Sequence, residues 1–203
     1  ILSISKTNKI QEHDSNFTIY QSQYPVVLTE NQKRSLVDTV SKICIVFCLE
    51  NCPLLIQAIL LERGIYVIEF SARMGGGSKY KLIEYMSGIN VMKTYVDLVE
   101  QKQNVKFKVI ASKDVFELDY IYAYDGVIDK IRKFDQLHKN GIICEIFKYK
   151  TKGDEICQRM VSGDRVMGVL LRGKSKSELE EKRKKMLAEA QILDVNGKDI
   201  MYR

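Results

Sequence analysis

The chain has 203 residues, enough for one sizeable domain or two small ones. Apolar residues make up 45% and charged residues 29%, an ordinary globular balance, and no apolar run approaches the roughly 20 residues needed to cross a bilayer. The net charge of +6 resides wholly in residues 101–203, because residues 1–100 hold ten basic and ten acidic side chains.

The chain opens at Ile1 on a polar stretch that runs to Asn16 and carries no element signal. A start without Met and without a basic-then-apolar leader is read here as a piece of a longer cytosolic protein. The first helix signal is Thr29-Glu30-Asn31-Gln32, a capping box in which the Thr hydroxyl and the Gln amide each satisfy an orphan backbone N–H. Leu36, Val40, Ile43 and Phe47 then recur at helical spacing, and Asn51-Cys52-Pro53 stops the run near residue 50. Cys44, Cys48 and Cys52 fall on this stretch at intervals of four. With five cysteines in all and no CxxC pair, they are read as free thiols and not as a zinc site or a disulfide framework.

Two strand signals follow, Leu54–Leu60 and Ile65–Ser71, joined by a turn at Glu62–Gly64, which predicts a β-hairpin. The hairpin leads into Ala72-Arg73-Met74-Gly75-Gly76-Gly77-Ser78 and a helix from Lys79 to Tyr85. Gly88 ends that helix, and a further one is predicted over Val91–Glu100. Polar residues 101–104 are the predicted boundary between a domain of residues 1–100 and a tail domain of residues 101–203. Beyond it the texture changes to short strands, at Val105–Ala111, Glu117–Tyr124, Val127–Ile131, Ile142–Tyr149 and Val166–Leu171. Turns at Asp125-Gly126, Asn140-Gly141 and Lys152-Gly153 separate several of them. A capped helix starts at Ser175, with Leu179, Met186, Leu187 and Ala190 facing inward, and Asn196-Gly197 turns the chain near its end. The predicted class is α+β, with mainly antiparallel sheet, flanking helices and a small mixed α/β tail domain.

The densest part of the charge excess is Arg172–Lys185, with seven basic and three acidic residues. It is read as a solvated helix face laced by Glu178–Lys182, Glu180–Lys184 and Glu181–Lys185, since no aromatics are interleaved as a nucleic-acid surface would have them. Tyr120, Tyr122 and Tyr124 alternate along a strand and are read as packing, with a stacking platform as the other reading.

The residues that carry chemistry surround the hairpin. Side chains alternate along a strand, so Glu69, Ser71 and Val67 share a face, joined by Arg73 if the strand runs on, while Gln57 sits on the neighbouring strand near Glu69. A carboxylate beside an amide or hydroxyl oxygen suits Mg²⁺, which takes oxygen ligands and leaves places for phosphates and water. A guanidinium nearby can bind a phosphoryl group or carboxylate bidentately, and three glycines let backbone N–H groups approach an anion. The same residues would also serve as the wet face of an ordinary strand.

Glu69-Phe70-Ser71-Ala72-Arg73-Met74-Gly75-Gly76-Gly77 resembles the C-terminal signature of the ATP-grasp superfamily, a metal-binding Glu-x-Asn followed by Pro/Ala-Arg and glycines. Ser71 stands where Asn is usual, and Ile56-Gln57 looks like the branch that uses Gln on the preceding strand. Tyr122–Ile128, Ser162–Val166 and Asp194–Met201 look like the tail of carbamoyl-phosphate-synthase-like members. The resemblance implies the C-terminal half of an enzyme that phosphorylates a carboxylate with ATP and passes the acyl phosphate to an amine or thiol. On it, Glu69, Gln57 and Ser71 would hold Mg²⁺, Arg73 would neutralise the transferring phosphoryl group, and Gly75, Gly76 and Gly77 would shape the acceptor side. Lys79 would be either a second cation or the decoration of a helix start. The adenine-gripping lid lies upstream in the family, so this chain by itself is expected to bind Mg-ATP weakly and to need the N-terminal half of the same protein. Small-molecule carboxylate and amine substrates are expected as partners, with no nucleic acid and no membrane. A non-catalytic oligomerisation or scaffold module, which would make a homo-oligomer, is the alternative.

Overall fold

Part of the polar N-terminal stretch, silent in the sequence, forms a strand in the computed structural model, which describes residues 1–10, 18–61, 64–100, 108–157 and 161–203. Strand β1 (Lys6–Lys9) pairs with β2 (Ile19–Tyr24), and β2 pairs in turn with β5 (Val115–Ile121), nearly a hundred residues away. The chain accordingly divides into two units: Ile1–Ile4 with Val26–Ala111, and Ser5–Pro25 with Ser112–Arg203. Residues 5–25 thus belong with the second unit, although all of residues 1–100 were expected in one domain. The boundary expected at 101–104 lies outside the described residues.

In the first unit, helix α1 (Glu30–Val46) begins as its capping box dictates. The Thr29 hydroxyl accepts from the Gln32 amide N–H at 3.2 Å, and the Gln32 side-chain oxygen accepts from Thr29 N–H at 2.9 Å. Its stripe is only half covered, since no residue of the helix is buried. Strands β3 (Leu55–Leu61) and β4 (Gly64–Ser71) form the predicted antiparallel ribbon, whose turn residues 62 and 63 lie outside the described residues. Helix α2 (Lys79–Ser87) buries Leu82 and Met86 and stops at Gly88, whose φ of +72° only glycine adopts without strain. Helix α3 (Val91–Val99) is capped by Asn90, which accepts from Lys93 N–H at 2.9 Å. Of the strand expected at 105–111, residues 108–111 form none, and the rest falls outside the described residues. Much apolar surface of this unit stays exposed, including Ile59, Tyr66, Ile68 and Val96.

The second unit holds the larger core. Strand β6 (Gly126–Arg132), helix α4 (Phe134–Lys139), β7 (Glu145–Lys148), β8 (Glu155–Ile156), β9 (Met167–Gly173), helix α5 (Lys176–Glu189) and β10 (Gln191–Asp194) complete it. A five-stranded antiparallel sheet runs β1-β2-β5-β9-β7, and a three-stranded one β10-β6-β8. Strands β5 and β9 lie inside the sheet, with a neighbour on each side, and nearly all their residues are buried. Val169, Leu171, Leu179, Met186, Ile192 and Phe134 join one buried cluster between sheet and helices. Helix α4 was not expected from the sequence: six residues are too few to show a periodicity. The fold class is the predicted one, α+β with mostly antiparallel sheet.

The basic run of α5 forms one of its three expected pairs, Glu178–Lys182 at 2.7 Å. Other cations of the run reach across the fold, Arg172 and Lys174 to Asp114 and Arg183 to Asp119. Tyr120 and Tyr122 are buried beside Arg165, which lies 3.8 Å over the Tyr120 ring and donates to the Tyr122 hydroxyl at 3.0 Å. Tyr124 is half-exposed and packs on Tyr202. All five cysteines are free thiols.

Candidate metal centre and its surroundings

On the β3–β4 ribbon, Gln57 pairs directly with Glu69 and Leu55 with Ser71. Direct partners in an antiparallel ladder project to the same side, about 5 Å apart at Cβ, so Gln57, Glu69 and Ser71 share one face. Ile56 and Phe70 take the other face, where the Phe70 ring meets Phe47 edge-on at 4.8 Å and pins the ribbon to α1. A β-bulge then interrupts the ladder. Ala58 pairs with Val67, which leaves Ile68 as the extra residue. Simple alternation put Val67 beside Glu69; the bulge shifts it out of phase and onto the opposite face.

Gln57 and Glu69 are exposed and Ser71 is half-buried. Among the described residues neither the Glu69 carboxylate nor the Gln57 amide has a side-chain hydrogen bond or ion pair. A bare carboxylate with an amide oxygen beside it is a donor set for a hard cation. No group of three or more His, Cys, Asp or Glu occurs among the described residues, so protein carboxylates alone do not complete a shell.

Arg73 is placed differently from its expected register. The strand ends at Ser71, and Arg73 N–H donates back to the Ser71 carbonyl at 2.8 Å in a tight turn. Its exposed guanidinium donates to the Met74 carbonyl at 2.9 Å. The glycines behind it have separate environments. A Cβ on Gly75 would touch Leu55 Cδ1 at 3.5 Å, whereas Gly76 has open space around it. Gly77 has φ of +68°, and Ser78 follows in the same left-handed region at +60°, so the chain enters α2 through two left-handed residues. Lys79 is the first residue of α2, with its Cδ 3.7 Å from the position of a Gly75 Cβ.

A polar ladder across the second unit was not foreseen from the sequence. Asn8 Nδ2 donates to Gln21 Oε1 at 2.7 Å, Gln21 Nε2 to Asp119 Oδ1 at 2.8 Å, and Arg183 Nε to Asp119 Oδ2 at 2.9 Å. The available signal was the pair of carboxylates Glu117 and Asp119 within an otherwise apolar strand, where a buried charge is retained only with partners. Burial pushes the Asp119 carboxyl up to about 6, against the pull of Arg183 and Gln21. The folded protein therefore holds this proton more tightly than the unfolded chain does. The associated stability is fully present below pH 3.8 and is lost as pH rises through 6. The loss amounts to about 3 kcal/mol. Asp119→Asn, which keeps an oxygen for Gln21, is expected to remove that pH dependence. Denaturant midpoints of both proteins across this range check it, and parallel profiles count against it.

No protein-family model matches the chain, and no curated protein matches its sequence. Solved structures do match its fold. Phosphoribosylglycinamide synthetase from Anaerococcus prevotii superposes with a TM-score of 0.73 at 18% identity, over 95% of this chain and 49% of that one. L-amino acid ligase from Bacillus licheniformis gives 0.77 at 19% identity, over 94% and 47%. The biotin carboxylase domain of Hydrogenobacter thermophilus 2-oxoglutarate carboxylase, solved with MgADP, ADP and bicarbonate, gives 0.66 at 15% identity, over 87% and 40%. The chain thus spans about half the length of the structures it resembles.

Proposed function

We propose that this chain supplies the metal-holding half of the ATP site in an ATP-dependent carboxylate–amine or carboxylate–thiol ligase that works through an acyl phosphate. The observation that carries this reading is the Gln57–Glu69 cross-strand pair, exposed and unpaired, on a ribbon that runs into a triple-glycine turn. The fold shared with ATP-grasp enzymes supports it, as does the MgADP bound by the biotin carboxylase domain among them. Glu69 would hold Mg²⁺ through its carboxylate and Gln57 through its amide oxygen, with Ser71 assisting. The ion would supply charge neutralisation on the ATP phosphates. Arg73, with a single bond to the Met74 carbonyl, has further guanidinium N–H groups for a phosphoryl oxygen or substrate carboxylate. Gly76, with open space around it, leaves the backbone uncovered for a substrate to approach.

Free thiols fit a reducing compartment, and no helix among the described residues is long and apolar enough to cross a membrane, so the enzyme would work in the cytosol. The exposed apolar residues of the first unit call for a further protein body over them. In the ligase reading that body is the other half of the catalytic domain. In a scaffold reading it is a second copy of this chain, and absent ATP turnover with every carboxylate–amine pair tried would favour that.

Manganese tests the metal half without any need for turnover. Titration with Mn²⁺ is expected to broaden the amide signals of Gln57, Glu69 and Ser71 first. Broadening that starts elsewhere, or that persists unchanged in Glu69→Gln, removes these residues from the site.

A further inference from the structure

A groove of about 1,020 Å³ opens on the second unit, and all the residues that line it belong to that unit. Its origin lies in the sheet. Helix α5 packs on β9 and β5, while β1 and β2 carry the sheet on past the helix and leave its margin uncovered. A second bulge shapes the wall. Asn8 pairs with Gln21 but Lys9 with Ile19, so Tyr20 is the extra residue, and its ring sits 5.9 Å from the Arg183 guanidinium carbon.

The groove presents donors. Arg183 is anchored through Nε to Asp119, which is 2% exposed and held on its other oxygen by Gln21. Both Asp119 oxygens are thereby occupied. The terminal nitrogens of Arg183 make no hydrogen bond among the described residues, and the same holds for the Lys6 ammonium and the Tyr20 hydroxyl. Arg203 closes the wall, with its own donors spent on the carbonyls of Leu187, Ala190 and Met201 and on Asp199. What faces the cavity is a fixed guanidinium fork with its outer edge open, an ammonium on β1 and a phenol. Asp119, the only carboxylate side chain among the described residues of the lining, is already paired with the fork's inner nitrogen.

A planar fork pre-positioned by a buried carboxylate is suited to bidentate capture of an oxyanion, and its rotamer freedom is already lost before a ligand arrives. The volume is that of small-metabolite sites and well above what a lone ion needs. We propose that the second unit carries an anion site, made of residues other than those on the β3–β4 ribbon, in which Arg183 binds the carboxylate or phosphate group of a small metabolite with help from Lys6 and Tyr20. The site does not rest on the ligase reading, since it shares no residue with it.

Two probes separate the two oxyanions: inorganic phosphate and malonate, each titrated into the whole chain at low salt and followed by NMR. Saturable shifts centred on Tyr20 and Arg183 are expected with at least one probe, and the tighter of the two names the group. Arg183→Lys keeps the charge and loses the fork, so affinity should fall about tenfold; Tyr20→Phe should cost about threefold. Because Arg183 also partners Asp119, a melting curve accompanies that variant, and Tyr20→Phe with Lys6→Gln decides should it fail to fold. Shifts that do not saturate with either probe overturn the proposal, as does wild-type affinity in the folded variants.

Discussion

Glu69→Ala is expected to lower ATP turnover by about two to three orders of magnitude in the protein that carries this chain, with its fold unchanged. The size follows from what is removed. A carboxylate that would hold the charge-neutralising Mg²⁺ of a phosphoryl-transfer site is worth as much as one preorganised electrostatic group, typically a factor of about 10² to 10³. The fold is expected to survive because Glu69 is exposed and makes no side-chain bond among the described residues. Surface changes of that kind alter stability by about half a kcal/mol at most. Turnover at saturating Mg-ATP, read beside a denaturation curve, separates the two effects. Glu69→Gln retains an oxygen without the charge and should fall between the wild type and Ala. Turnover unchanged in both variants would remove Glu69 from the site and leave the ribbon face as an ordinary wet strand surface.

The largest expected loss of stability comes from Leu171→Ala. Leu171 is fully buried in β9, a strand with neighbours on both sides, and belongs to the cluster that includes Leu179, Met186 and Ile192. Truncation removes its transfer free energy and leaves a cavity that the sheet cannot close, a cost of about 2–5 kcal/mol. That is a large fraction of the roughly 5–15 kcal/mol that holds a domain folded. The control is Leu61→Ala in β3, where the side chain is 51% exposed and the expected cost is under about 1 kcal/mol. Urea midpoints for the two variants give the comparison directly. A Leu171→Ala midpoint equal to the wild type would mean that the second unit is not packed as described.

Much of the local chemistry was legible in the sequence. The Thr29–Gln32 capping box, the Gly88 helix stop and the turn glycines at 141, 153 and 197 act within a few residues, and each is found in the expected place. That Gln57 and Glu69 lie near one another on adjacent strands was legible too, but their direct pairing was not, since the turn alone would set Gln57 opposite Ile68 and the bulge brings Glu69 there instead. What escaped was any departure from regular geometry. The bulge at Ile68 moved Val67 to the other face, and the turn after Ser71 took Arg73 out of the strand. Neither has a residue signature of its own.

The sequence by itself determined where most helices and strands begin and stop and that the oxygen donors lie on two adjacent strands of one ribbon, since those outcomes depend on contacts only a few residues to a dozen or so apart. Only the tertiary structure decided that residues 5–25 join the distant second unit, that Asp119 is buried against Arg183 from 64 residues further on, and that Tyr20 turns toward that arginine. The reason is physical. Polar strands such as Lys6–Lys9 have no intrinsic drive to form, and they exist here because β2 and β5 supply the hydrogen-bonding edge and the side-chain partners they need.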